Sequence, residues 1–398
     1  MSRPRVLSLQ TPLLGNRTYG ELLRRMFDGS DAIDFRALWA DAERNAYERT
    51  PLGRVIYRLA FTQAPLGWLR DRNADLYALR YELGSSYWAR RLLRRELARS
   101  SPDVLHFHTQ GLALLSRGTM ERYPTVISGD MTSRRTAEQF THASWRRTHG
   151  LQHAIEGAAL RRAAALVPFS QYAARSMIDD YRVDPANVHV IAPGVDLGLF
   201  GTIGAEREAR HDPIRRILFI GGEFERKGGP DLVEAFLRTF ADDENVELHI
   251  VTHAPDSVAA HPRIFVHLDV AAYSPRWREL YERACVVALP SRREAYGHVY
   301  LEAGAARLPV VGSRVGAGPE LVVDGVTGFL ISPGDVAALG SQLKRLTSDR
   351  ELAAALGVAA RERVENEFDA QRNARRLEQL FVTVSRAEVA RAKKPALD

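Results

Sequence analysis

Cysteine is almost missing from this chain: Cys285 is the only one in 398 residues. Intramolecular disulfides are therefore impossible, and a cysteine-rich zinc site is excluded. Lysine is nearly as scarce, with Lys227, Lys344, Lys393 and Lys394 as the whole complement, so positive charge is carried almost entirely by arginine. No apolar run reaches the ~18 residues that a membrane-spanning helix needs. The opening MSRPRVLSLQTPLLG has neither the long apolar stretch nor the small-residue cleavage site of a signal peptide. No strand is followed by the full three-glycine dinucleotide pattern and its ribose-binding acid, which disfavours an oxidoreductase. Zinc-finger, RNP and KH patterns are lacking too, so nucleic acid is not expected as a partner. Together these absences point to the cytoplasm.

What is present is an ordinary globular composition, 45% hydrophobic and 26% charged. At ~100–200 residues per domain the length suggests two domains. The net charge of +6 is uneven, +8 over residues 1–200 and −2 over the remainder. The basic half suits an anionic partner, such as a membrane surface or a phosphorylated substrate, or else is a solvated arginine-rich surface.

Short apolar runs read as buried parallel strands at 6–9, 104–107, 125–128, 165–168 and 188–192. A second series lies at 216–220, 246–251, 264–268, 285–289 and 309–312, with helical patterns between, for example 229–240 and 274–283. Strands alternating with helices imply right-handed crossovers and parallel sheets covered on both faces. The expected architecture is α/β, with two doubly wound, Rossmann-like domains. Domains are expected at 1–196 and 197–372, with a C-terminal helix at 373–398 crossing back to the first. Residues 30–100 fit this scheme poorly and look helical. Within them, YWARRLLRRELAR puts Trp88, Leu92, Leu93 and Leu97 near one stripe among arginines. That stripe either packs on the sheet or lies on an anionic bilayer at the inner face of the membrane.

Residues 290–335 carry the most chemistry. A strand ends at Leu289, a loop holds Glu294, and a helix starts around Gly297 with Glu302 inside it. Gly297 permits close backbone approach, and the helix start offers unpaired N–H groups to an anion. In FIGGEFERKGGPDLVEAF, Gly221 and Gly222 permit a tight turn. Arg226 and Lys227 then supply charge that could neutralise a diphosphate. In the first half, His106 and His108 of VLHFHTQG alternate at strand period. His106 reads as a satisfied core histidine, and His108 falls at the strand's carboxyl end, where open α/β sheets bind ligands. Asp130 follows the next strand and either contacts a ligand or caps the following helix.

Glu294 and Glu302, separated by seven residues with Tyr296-Gly297 between them, resemble the mark of the family 4 glycosyltransferases of the GT-B fold. LPVVGSRVGAGPELVVDGVTGFLISPGD resembles that family's continuation, and NVHVIAPGVDLGLF its passage between domains. The resemblance is clear over about residues 165–375. It implies transfer of a sugar from a nucleotide-diphosphate donor to an acceptor hydroxyl with retained configuration. Glu294, Lys227, Arg226 and Asp130 are then the catalytic candidates. Gly15, Gly222, Val270, Tyr296, Gly297, His298, Val299 and Glu302 are donor-binding candidates, and His108 lies on the acceptor or sugar side. The sequence departs from the family at Gly222, where many members have arginine, at Asp130, where histidine is common, and at Asn16, where a second glycine is usual. No Asp-any-Asp triplet occurs, so neither a metal nor another cofactor is expected. The acceptor stays open among glycans, lipid-linked sugars and small molecules. A degenerate nucleotide-binding partner subunit and a sugar-nucleotide 2-epimerase remain as alternatives.

Overall fold

The computed structural model describes residues 3–11, 14–41, 50–62, 76–139, 143–201, 203, 212–254, 258 and 260–392. The chain divides into two compact units, Met1–Pro193 with Asn373–Asp398, and Gly194–Arg372.

The first unit is built on a five-stranded sheet. Its elements are β1 (Arg5–Gln10), α1 (Leu14–Phe27), β2 (Asp34–Trp39), α2 (Pro51–Phe61), α3 (Tyr77–Leu97), β3 (Val104–Phe107), β4 (Thr125–Gly129), α4 (Ser133–Glu138), α5 (Ala143–Leu160), β5 (Ala165–Pro168) and α6 (Gln171–Asp179). The strand order is β2-β1-β3-β4-β5, and every pairing is parallel. Such a sheet is covered on both faces, and β3, β4 and β5 are buried at every position.

β2 corrects the helical expectation for residues 30–100. It sits at the sheet edge with an alternating exposed and half-buried pattern, so its sequence DFRALW has no apolar run to betray it. The segment 188–192 also differs. It makes an isolated bridge between Val188 and Leu166, and the amides of His189 and Ile191 donate to the carbonyls of Leu166 and Pro168. It therefore runs along the edge of β5 without forming a regular strand.

The arginine-rich stripe belongs to α3 and packs inward. Trp88 and Leu93 are buried, and Leu93 joins Leu7, Leu105 and Phe107 in one core cluster. Arg91, Arg94, Arg95 and Arg99 point to solvent. Trp88 and Leu93 are thus taken up by the core, while Leu92 and Leu97 stay half-buried. No described helix is long and apolar enough to cross a membrane.

The second unit contains β6 (Arg215–Ile220), α7 (Gly229–Thr239), β7 (Val246–Val251), β8 (Ile264–His267), α8 (Pro275–Arg283), β9 (Ala284–Leu289), α9 (His298–Ala305), β10 (Val310–Ser313), β11 (Gly328–Ile331), α10 (Val336–Ser348) and α11 (Arg350–Glu367). Its six-stranded sheet has the order β11-β10-β9-β6-β7-β8, again all parallel. The order reverses between β6 and β9. Ligands of open α/β sheets bind at such a switch point, outside the carboxyl ends of the strands. The helices begin where side chains can cap them: Ser274 accepts from the Trp277 amide ahead of α8, and Asp335 from the Ala338 amide ahead of α10.

The last helix, α12 (Ala370–Ala392), starts in the second unit and continues in the first. Leu377 and Phe381 are fully buried. The Phe381 ring packs at 6.2 Å from Phe27, 6.5 Å from Phe35 and 5.2 Å from His106. Near the unit boundary the Val195 amide donates to the Phe368 carbonyl at 2.8 Å, and the Ala370 amide to the Val195 carbonyl at 3.0 Å. Gly194 permits this approach. Its φ is +73°, and a Cβ there would lie 2.7 Å from the Phe368 oxygen.

Candidate functional site

The switch point of the second unit gathers most of the residues singled out in its sequence. The turn after β6 carries Gly221, Gly222, Arg226 and Lys227, and the loop after β9 carries Ser291, Arg292, Arg293 and Glu294. The two loops touch through backbone: the Arg292 amide donates to the Arg226 carbonyl at 3.0 Å. Gly228 makes this contact possible. It adopts φ +78°, and a Cβ there would stand 2.0 Å from the Pro290 oxygen. Glycine alone takes this position without strain.

Glu294 is the centre of the arrangement and is buried. One carboxylate oxygen accepts from the Lys227 ammonium and from Ser291 Oγ at 3.1 Å. The other accepts from the amide of Ala295 at 3.2 Å and lies 3.9 Å from Arg226 Nη1. Gly316, with φ +55°, fits beneath the loop, where a Cβ would strike the Glu294 carbonyl oxygen at 2.1 Å.

Arg226 is engaged elsewhere. Its guanidinium forks onto Glu223 at 2.8 and 2.9 Å and donates to the Arg293 carbonyl at 2.9 Å. The fork holds the Glu223 carboxyl below its usual pKa. The expected Arg226–Lys227 pair is therefore unequal: Lys227 points at Glu294, while Arg226 is clamped by a neighbouring acid that sequence reading overlooked. Gly222 lies in the same turn, and its carbonyl faces Thr252 Oγ1 at 3.4 Å.

Gly297 ends the loop and precedes α9 with φ +93°, as expected of a tight approach. Tyr296 is buried beside it, while His298 and Val299 are partly exposed in the first turn of the helix. Desolvation lowers the His298 pKa to about 4, so this imidazole is neutral at pH 7. Its 4.0 Å separation from Glu302 is therefore not an ion pair at that pH.

Glu302, one turn further along, is also buried. Its carboxylate accepts from Tyr281 Oη at 2.9 Å and from Tyr273 Oη at 3.2 Å. Burial raises its pKa to about 7, and the two phenols moderate the rise. Both tyrosines were missed by the sequence reading. They come from α8 and the segment before it, and no spacing rule links that segment to α9. Val270 lies in the same β8–α8 connection, half-buried, where Asp269 (φ 55°) and Tyr273 (φ 63°) both take left-handed backbone.

The remaining candidates belong to the first unit and are brought to the carboxyl ends of its strands. Gly15 is the second residue of α1, in its first turn rather than in an extended glycine loop. His106 bonds to Ser8 Oγ and Ser128 Oγ, both at 2.8 Å, and is a satisfied core histidine as expected. His108 is fully buried, with neither ring nitrogen hydrogen-bonded, and packs 5.0 Å from the Tyr19 ring. Burial lowers its pKa to about 3. Asp130 is half-buried just beyond β4. It does not cap α4: that role falls to Thr132, whose Oγ1 accepts from the Arg135 amide.

Two family models match. The one described as Glycosyltransferase Family 4 covers residues 46–199, and the one described as Glycosyl transferases group 1 covers residues 214–349. A D-inositol 3-phosphate glycosyltransferase of Corynebacterium diphtheriae is 31% identical, over 54% of this chain and 55% of that one. A glycogen synthase of Mycobacterium tuberculosis is 27% identical, over 72% of this chain and 70% of that one. The chain spans about half the length of the inositol-phosphate relatives it matches. Among solved structures, sucrose-phosphate synthase from Thermosynechococcus elongatus superposes with a TM-score of 0.71 at 16% identity, over 97% of this chain and 100% of that one. The Anabaena protein HepE, crystallised with UDP and glucose, superposes at 0.66 with 16% identity, over 95% and 99%. These likenesses carry the GT-B fold.

Proposed function

The chain belongs to the family 4 glycosyltransferases, and we propose that it moves a sugar from a nucleoside-diphosphate sugar to an acceptor hydroxyl, with retained configuration and no metal ion. The observation that carries this reading is the Lys227–Glu294 pair at the switch point of the second unit. A cation fixed by one buried carboxylate is preorganised to meet the negative charge of a departing diphosphate. Arg226, held by Glu223, adds a second positive centre beside it.

In the proposed reaction the bond between the anomeric carbon and the phosphate oxygen breaks, and the bond pair leaves with the diphosphate. The acceptor oxygen forms its bond to the same carbon on the same face. Its proton passes to the departing phosphate oxygen. The chain's residues supply placement and charge stabilisation, with no covalent intermediate. Glu294 would orient the sugar hydroxyls. Glu302, positioned by its two tyrosines, would accept from the ribose, and the start of α9 would offer amides to the diphosphate. The absence of an Asp-any-Asp triplet and the basic turn at Arg226–Lys227 support metal independence. HepE was crystallised with UDP and with UDP-glucose, which makes these the first ligands to try.

The test is a panel of UDP, GDP, ADP and their common sugars, read by thermal shift and by nucleotide release with and without chelator. A ligand at ~100 times its Kd adds about 2.7 kcal/mol of stability, an easily visible shift. Binding, release of the nucleoside diphosphate and formation of a new glycoside that keeps the donor's anomeric configuration support the proposal. Binding without turnover turns the assignment to a nucleotide-binding partner subunit, the reading that Gly222 favours. A sugar nucleotide inverted at C2, with no new glycoside, turns it to a 2-epimerase.

A further inference from the structure

A basic groove of about 440 Å3 opens on the first unit, lined by Arg90, Arg94 and Leu97 of α3 on one wall and by Leu115, Gly118 and Arg122 on the other. It lies at the amino ends of the strands. Leu97 ends α3 just before the chain enters β3, and Arg122 lies just ahead of β4. Gly15, His108 and Asp130, by contrast, lie at the carboxyl ends. The groove is thus separate from the residues assigned to the reaction in this unit.

Its charge is not neutralised from within. Arg90 and Arg94 are one helical turn apart and face the same side. Among the described residues neither they nor Arg122 forms an ion pair, whereas nearby Arg36 pairs with Glu96 and Arg162 with Glu121. Arg122 only rests over the Tyr123 ring, at 6.0 Å. Gly118 keeps the opposite wall low, since a Cβ there would meet nothing within 4 Å. Three arginines lining one groove supply the charge and the fork-shaped donors that suit phosphate oxygens. The largest apolar side chain of α3, Trp88, is already buried with Leu93, so binding here goes through charged heads and not through insertion of the helix.

We propose that this groove binds phosphate groups as a second anion site of the protein, supplied either by a soluble phosphorylated compound or by the headgroup of an anionic lipid. The probes are inorganic phosphate, pyrophosphate, and vesicles of phosphatidylglycerol or of phosphatidylcholine. The test compares the full chain with its Arg90→Gln/Arg94→Gln/Arg122→Gln variant, and with Arg122→Gln alone in case the triple change disturbs folding. Arg226 and Lys227 can also take phosphate, so the readout is the difference between proteins. The expected result is at least fivefold weaker phosphate or pyrophosphate binding in the triple variant, with an unchanged circular dichroism spectrum. Sedimentation with phosphatidylglycerol but not phosphatidylcholine vesicles, weakened by salt and by the variant, assigns the lipid source. A phosphate response lost in the variant, with no vesicle binding, assigns the soluble source. Equal responses in all proteins, or no response to either probe, overturn the proposal.

Discussion

Lys227 and Glu294 are 67 positions apart in the chain, yet the ammonium of one closes on the carboxylate of the other where β6 and β9 end. The contact fixes two functions with one bond. It gives a buried carboxylate its nearest counter-charge, and in the proposed reaction it sets a cation where a diphosphate would lose its sugar.

Replacing Lys227 by alanine should therefore lower kcat about 100-fold or more, the scale of losing one preorganised charge-stabilising donor. It should also destabilise the fold by about 1–3 kcal/mol, because the buried Glu294 loses its nearest cation and keeps Ser291, the Ala295 amide and Arg226 at 3.9 Å. Glu294→Gln should cost activity to a similar degree and much less stability, since the amide needs no counter-charge. Kinetics and urea titrations on the two variants separate the effects. Near-normal turnover in both would remove the pair from the site.

Glu302 predicts a pH dependence of known sign. Its pKa is raised to about 7 from the ordinary carboxyl value of about 4.5, so the folded chain holds its proton more tightly than the unfolded chain does. The stability linked to this proton is present below pH ~4.5 and is lost as pH rises through 7, on the order of 3 kcal/mol in total. Glu302→Gln should flatten that slope between pH 5 and 7. Melting curves of both proteins across the window check it; identical pH profiles would contradict the burial argument.

Gly316→Ala tests the loop beneath Glu294. The added methyl would meet the Glu294 carbonyl oxygen at 2.1 Å on a backbone with φ +55°. The expected outcome is a loss of about 1–3 kcal/mol in stability. A drop in turnover should exceed the loss of folded protein, because the carbonyl that must move belongs to Glu294 itself. Activity measured per folded molecule distinguishes the two.

Phe381→Ala addresses the first unit. The ring is fully buried against Phe27, Phe35 and His106. Truncation should cost about 3–5 kcal/mol by denaturant titration. A cost below 1 kcal/mol would mean that α12 contributes little to that core.

The sequence disclosed those parts of the molecule whose physics is local. β5 is an unbroken apolar run, β3 is broken only by His106, and β7 alternates apolar with polar residues; the limits of all three were legible to the residue. β2 was not, because an edge strand is buried on fewer sides. At the site, Gly297 and the Glu294–Glu302 spacing were legible because loop and helix start are contiguous. The clamp of Arg226 by Glu223 was local too, three residues apart, but a surface acid beside an arginine carries no distinctive signal. The hydroxyls of Tyr273 and Tyr281 on Glu302 join separate segments, and nothing in their spacing announces that they converge.

The return of α12 to the first unit has a consequence for synthesis. A ribosome releases the chain from its amino end, at ~5–20 residues per second. The sheet β2-β1-β3-β4-β5 emerges early, but Leu377 and Phe381, which close its core, emerge after the whole of the second unit. The earlier-made unit must therefore wait, its apolar face open to chaperones or to misplaced contacts, while the later-made unit can complete itself from one continuous stretch. Order of translation and order of completion are reversed in this protein, and damage to its last helix would be felt by its first strands.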